Sequence, residues 1–211
     1  NIYSMLFNTI IFSFLFLMAQ TNFIQKDISP TEINFIISNI HALGTLTFSI
    51  LLLTDLISYD IYLELSSFSV GYAIYDIYFL KITDSPNIKF LLTHHLMIIF
   101  TNIWINFFRD DFVVKTIAYN YLTEITTPFL NLSIYLYKFK KTDLTYKNIN
   151  IFKLSNVLLL FTFFTARIML GFYLIRETFL YNMLFIFQIL MVGLNIHWFS
   201  RLVKMAFKIF N

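Results

Sequence analysis

The 211-residue chain contains no cysteine and only four glycines and three prolines. Without cysteine there is no disulfide scaffold, no cysteine-ligated zinc centre and no cysteine nucleophile. So few glycines and prolines exclude collagen-like and linker-rich chains. Four glycines could hardly build a P-loop or a dinucleotide-binding turn, and no serine-hydrolase elbow is present. Charge is also scarce. Asp, Glu, Lys and Arg make up 13 % of the residues, about half the share typical of a soluble domain. The net charge of +3 is too small to point to nucleic acid. Disorder requires few aromatics and much charge, whereas this chain carries 27 Phe and 13 Tyr.

What is abundant is apolar. Hydrophobic residues reach 58 %, aromatics 20 %, and the mean hydropathy is +0.72. The natural solvent of such a chain is lipid, so an all-α, multi-pass membrane protein is expected. The richness in Ile, Phe, Asn, Tyr and Lys also fits an AT-rich coding genome, so no single Phe or Asn carries weight outside a motif. The chain begins at Asn1 rather than Met, as a fragment or a processed product would.

A bilayer core of about 30 Å needs roughly 20 apolar residues per helix. Seven stretches qualify: about Ile2–Gln20, Ile33–Leu53, Leu65–Lys81, Ile88–Phe107, Val113–Tyr137, Ile151–Ile175 and Phe179–Val203. They are too long, and too poor in alternation, for barrel strands. Residues 1–32 form a first helix with its connection, and residues 33–211 a six-helix domain.

Basic residues support seven spans. One face would hold Lys26, Lys81, Lys89, Lys138, Lys140, Lys141, Lys147, Lys153, Arg201, Lys204 and Lys208; the other only Arg109, Lys115 and Arg176. By the positive-inside rule the N-terminus is outside and the C-terminus inside. The run Lys138–Lys147 reads as a solvated loop drawn to anionic headgroups or to the phosphates of an acyl-CoA.

Ionisable groups at membrane depth cost at least a few kcal/mol and need a reason to be there. His41, Asp76, His94, His95, Glu124, Arg167 and His197 are in this class. At 1.5 Å per residue, His41, Asp76, His94, His95 and His197 share a layer on the order of 7–12 Å below the basic face. Glu124 is nearer mid-membrane, beside the helix-disturbing Thr126-Thr127-Pro128, and Arg167 is deeper still. This arrangement predicts a polar cavity opening on the basic face. Packing or a buried counter-charge is the plainer reading of His197 and Arg167.

Several ordered blocks now carry a resemblance: Asn39-Ile40-His41-Ala42, Ser69-Val70-Gly71-Tyr72-Ala73-Ile74-Tyr75-Asp76, and Leu92-Thr93-His94-His95-Leu96. They are followed by Glu124-Ile125-Thr126-Thr127-Pro128-Phe129-Leu130-Asn131, Phe164-Thr165-Ala166-Arg167-Ile168 and Leu194-Asn195-Ile196-His197-Trp198-Phe199. In order and spacing, over about Ser38 to Lys208, they resemble the TLC-domain family, the membrane fold of ceramide synthases and their non-synthase relatives. Ceramide synthases follow their His pair with His-Asp and a second Asp. Here Glu124 to Asn131 stand instead, which looks like the non-synthase branch and argues against ceramide synthesis.

The resemblance implies a TLC-type bundle and a connection to membrane lipid. The expected function is to bind, transport or acylate lipid in the polar cavity. His94, His95, Asp76 and Glu124 would be the catalytic set, and His41, Asn131 and Arg167 would contact lipid. In acyl transfer, acyl-CoA would be the co-substrate, a neutral histidine the base or nucleophile, and a carboxylate its orienting partner. The alternative is a non-catalytic subunit of a larger membrane assembly, for example in an organelle inner membrane. A b-type haem between two histidines is disfavoured by the resemblance, and no metal or other cofactor is expected. The expected location is the endoplasmic reticulum or another endomembrane, with the mitochondrial inner membrane as alternative.

Overall fold

The structure, a computed structural model, describes residues 2–24, 28–82 and 88–210. Lys26, counted above among the basic residues, lies outside the described residues. The chain divides into two compact units, Asn1–Tyr121 and Leu122–Asn211.

The first unit holds α1 (Ile2–Ile24), α2 (Pro30–Leu53), α3 (Tyr59–Ile82), α4 (Ile88–Phe108) and α5 (Asp111–Tyr121). Helix α2 starts three residues before its apolar run because a capping box sets its beginning. The Ser29 hydroxyl accepts from the Glu32 backbone N–H, the Glu32 carboxylate accepts from the Ser29 N–H, and Pro30 occupies the first turn. Helix α3 is central, packed by α1, α2 and α4. Phe16, Ile33, Ile37, Tyr72 and Tyr75 form an apolar cluster between them.

The second unit begins with a 3₁₀ segment, Leu122–Thr126, and continues with α6 (Thr127–Lys138) and a hairpin of β1 (Thr145–Tyr146) and β2 (Ile149–Asn150). The hairpin turns through Lys147 and Asn148, both at positive φ, as a two-residue type I′ turn requires. Asn150 then caps α7 (Ile151–Phe163). A π-helical segment, Phe164–Met169, leads into α8 (Leu170–Glu177), and α9 (Asn182–Phe210) closes the chain. Helix α9 packs along α7, the π segment and α8, and Leu159, Phe163 and Ile168 form an apolar cluster with Trp198, Phe199 and Leu202 of α9.

Five of the described helical stretches are long and apolar enough to cross a membrane: Tyr3–Asn22, Pro30–Leu53, Ile88–Phe107, Ile151–Glu177 and Met183–Ile209. The other two expected spans differ for physical reasons. Helix α3 has the length, 24 residues, but its Ser, Tyr, Asp60, Glu64, Asp76 and Lys81 reduce its apolar character. The stretch Val113–Tyr137, expected as one helix, is broken into α5, the 3₁₀ segment and α6. Pro128 lacks an N–H and is accommodated in the first turn of a new helix, not inside an old one.

With no water in the bilayer, interhelical polar pairs and small residues carry much of the packing. Tyr62 meets Ser49 at 3.4 Å, and the Asn102 carboxamide donates to the Tyr121 hydroxyl. At Gly71 the backbones of α1 and α3 approach closely. A Cβ there would stand 2.7 Å from Phe12 Cβ and 3.0 Å from the Ser13 backbone nitrogen. A main chain cannot step aside as a side chain can. Gly71→Ala is therefore expected to cost about 1–3 kcal/mol in denaturant unfolding in micelles. Gly193→Ala, with nothing within 4 Å of its Cβ, should stay within about 0.5 kcal/mol. Equal stability of the two variants would refute this account of the contact.

Candidate functional site

Ser69, Tyr72 and Asp76 recur along α3 at spacings of three and four, which puts them on one helical face. All three are buried. Histidines from α2 and α4 meet this face, and each takes a different partner.

From α4, His95 Nε2 lies 2.7 Å from Asp76 Oδ2. His95 is 4 % exposed and Asp76 6 %. Against an ionised Asp76, which only accepts, a neutral His95 donates from Nε2 and keeps its lone pair on Nδ1. Among the described residues neither His95 Nδ1 nor Asp76 Oδ1 has a hydrogen-bond partner, and both are buried. An imidazole fixed in one tautomer by a buried carboxylate, with its basic nitrogen unspent, is the arrangement a general base or nucleophile requires. His94, half-buried, has its ring 5.4 Å from that of His95. Helical neighbours diverge by about 100°, and only His95 reaches the carboxylate.

From α2, His41 stacks flat on Tyr72, with ring centroids 3.9 Å apart and planes 10° from parallel. Its Nε2 is 3.3 Å from Ser69 Oγ, which is 3.1 Å from Thr45 Oγ1. The Tyr72 ring also meets His95 in a T-shaped arrangement, with centroids 6.0 Å apart. His41 thus sits about one helical turn from the Asp76–His95 pair along α3. It is joined to that pair through the Tyr72 ring.

The second unit holds another pair of charges. Glu124, in the 3₁₀ segment, accepts from the Thr127 hydroxyl at 2.7 Å. Arg167, in the π segment, donates from Nε to Thr126 Oγ1 at 2.8 Å, and its Nη2 stands 3.9 Å from Glu124 Oε1. The Phe163 ring faces the guanidinium at 5.3 Å. Glu124, Arg167 and Asn131 are all buried. His197, expected in the same layer as the other histidines, is exposed on α9, because its position on the helix turns it away from the buried face of Met191, Val192 and Asn195.

The structure therefore sorts the candidates into two sets. His41, Asp76, His94 and His95 belong to the first unit; Glu124, Asn131 and Arg167 belong to the second. The TLC-domain family model matches residues 2–204. The chain belongs to the TLC-domain family. No curated protein and no solved structure matches it.

As a TLC domain with several membrane-crossing helices, the chain is a multi-pass membrane protein, in keeping with a lipid-associated role. Among the described residues of this TLC domain no three His, Asp or Glu side chains converge as a metal-binding group. Sequence reasoning did not single out Tyr72 and Ser69, although both stood in the block ending at Asp76. Their signal was the spacing from Asp76, four and seven residues upstream, which places them on its face.

Proposed function

We propose that this TLC domain acts chemically on membrane lipid, with His95 as base or nucleophile and Asp76 as its orienting partner. One observation carries the reading: the 2.7 Å Nε2–Oδ2 bond, buried, with the opposite imidazole nitrogen unspent. The chemistry that suits it is acyl transfer from a thioester such as acyl-CoA to a lipid hydroxyl or amine. As a base, His95 Nδ1 takes the acceptor's proton as its oxygen or nitrogen attacks the thioester carbonyl. The C–S bond then breaks, and the thiolate leaves with that proton. Asp76 stabilises the imidazolium formed in between. His94 and His41 shape the approach, and Tyr72 holds His41 in place.

The seven-span arrangement, with the N-terminus outside and the C-terminus inside, completes the proposal. It is supported by eleven basic residues on one face against three on the other. Asp76 and His95 lie in the halves of α3 and α4 that adjoin the Lys81–Lys89 connection, and a phosphate-bearing co-substrate would gather on that lysine-rich side.

The test is product formation by the purified protein from labelled acyl-CoA and a panel of lipid acceptors. Turnover is expected from the unaltered protein and none above background from His95→Ala. Equal turnover by both would remove His95 from the chemistry. No product with any acceptor would leave the non-catalytic subunit as the better account.

A further inference from the structure

The connection between α6 and α7 is short, lysine-rich and folded. Residues 138–153 carry Lys138, Lys140, Lys141, Lys147 and Lys153 against a single acidic residue, Asp143. Tyr146 pairs with Ile149 across the hairpin, and Thr145 with Asn150. The Ile151 N–H donates to the Leu144 carbonyl at 2.9 Å, which extends the ladder by one pair. Directly opposed residues share a face, and successive residues alternate between faces. Leu144, Tyr146 and Ile149 therefore lie on one face, and Thr145 and Asn150 on the other. The first face is apolar and open: Leu144 is 50 % exposed, Tyr146 63 % and Ile149 51 %.

The hairpin is held close to the bilayer. Asn150 ties it to the end of α7: its Oδ1 accepts from the Lys153 N–H at 2.8 Å, and its Nδ2 donates to the Thr142 carbonyl at 2.9 Å. The membrane-crossing stretch of α7 begins at the next residue, Ile151. At about 3.3 Å per residue, the turn at Lys147 and Asn148 stands no more than about 13 Å from that entry point. The headgroup zone is roughly 5–8 Å deep on each side of the hydrocarbon core, so most of the hairpin falls within it or at its edge. An isolated two-stranded hairpin is marginal in water and needs a surface to pack on. The face of Leu144, Tyr146 and Ile149 is the one left open for such a surface. Lys147 Nζ lies 5.4 Å from the centre of the Tyr146 ring, which puts a positive charge at the border of that face.

We propose that this hairpin is a docking element for an anionic membrane surface. Leu144, Tyr146 and Ile149 enter the boundary between headgroups and acyl chains, and the lysines around them bind the phosphates of acidic phospholipids. Charge complementarity selects the occupant. Each lysine near an anionic leaflet favours association about fivefold, and only Asp143 opposes them. Tyrosine concentrates at membrane–water boundaries, and a lysine stem lies along apolar surface while its ammonium stays with the phosphates. A protein partner suits this face less well, because protein–protein interfaces are poor in lysine. The element lies wholly in the second unit and does not depend on the His95–Asp76 chemistry.

The chain has no cysteine, so one introduced thiol can carry a dye at a chosen position. Leu144→Cys, Ile149→Cys and Thr145→Cys, each labelled, are reconstituted in vesicles of phosphatidylcholine alone or in an equimolar mixture with phosphatidylglycerol. A nitroxide at the top of the lipid acyl chain serves as quencher. In the mixed vesicles the dyes at Leu144 and Ile149 are expected to be quenched about threefold more than the dye at Thr145, because alternation along the strand is read as depth. In phosphatidylcholine alone, quenching at Leu144 falls to the level of Thr145. The combined change Lys140→Gln, Lys141→Gln and Lys147→Gln does the same in the mixed vesicles, since three lysines at about fivefold each are lost. Raised salt screens the same attraction and keeps the test alive if the lysine variant does not fold. Equal quenching at Leu144 and Thr145 in the mixed vesicles, or quenching at Leu144 that ignores phosphatidylglycerol, overturns the proposal. Quenching that responds to acyl-CoA but not to phosphatidylglycerol assigns the lysines to a co-substrate. A dye shielded from both the nitroxide lipid and aqueous iodide assigns the face to a protein contact. Either result also overturns it.

Discussion

Arg167→Leu is expected to destabilise the protein by about 3–5 kcal/mol, and Glu124→Leu by a similar amount, because each change leaves the other charge buried without its counter-charge. The geometry explains the size. Both groups are buried, at 6 % and 7 % exposure, and stand 3.9 Å apart. Loss of Arg167 also deprives the Thr126 hydroxyl of a charged donor. The double variant, Arg167→Leu with Glu124→Leu, should recover most of the loss, since two uncharged side chains of similar bulk avoid desolvating any ion. The measurement is a double-mutant cycle on denaturant unfolding in mixed micelles. A coupling of about 2 kcal/mol or more is expected, well above the few tenths seen for independent sites. Additive single effects would mean that the two charges do not sense each other.

The second large effect concerns turnover and follows from the proposed function. His95→Ala removes the reacting nitrogen. Asp76→Asn is the more informative change, because it keeps the shape and alters the proton. An asparagine can turn its amide nitrogen toward His95 Nε2 and donate to it. The imidazole proton then moves to Nδ1, and the lone pair needed for catalysis is lost. In a serine-protease triad the corresponding Asp→Asn change lowers kcat by roughly 10⁴, and a fall of about 10³–10⁴ is expected here. Asp76→Asn should leave the folded protein intact, as shown by its elution and unfolding midpoint, while acyl transfer falls. Turnover within about threefold of the unaltered protein would mean that Asp76 is a packing partner. His94→Ala, at a half-buried position beside the His95 ring, should cost less than either.

The candidate site was legible in the sequence to different depths. Asp76 and His95 stood out because ionisable residues on apolar helices are expensive, and their distances from the helix ends placed them at one level. That they bond to each other, and that His94 does not reach the carboxylate, depends on the rotation of α4 against α3. Neighbouring residues differ by about 100° around a helix axis, and no sequence pattern on α4 says which of two adjacent histidines faces inward. His197 shows the same limit, since its depth was readable and its outward direction was not. Tyr72 and Ser69 could have been found by stepping four and seven residues back from Asp76. The break before α6 was foreshadowed by Thr126-Thr127-Pro128. The π segment that positions Arg167 had no such mark, because Phe164–Met169 contains neither Pro nor Gly.

Composition and periodicity alone determined that this chain lives in lipid, that it is helical, and which ionisable residues would have to be excused from that solvent. Those conclusions rest on transfer free energies, which depend on residue type and hardly on arrangement. The tertiary structure decided which excused groups became partners: His95 with Asp76, His41 with Tyr72 and Ser69, Arg167 with Thr126 and Glu124. Hydrogen bonds and ion pairs act over a few ångströms and are sensitive to angle. They are set by how helices turn and approach, as at Gly71, and a linear sequence does not display that geometry.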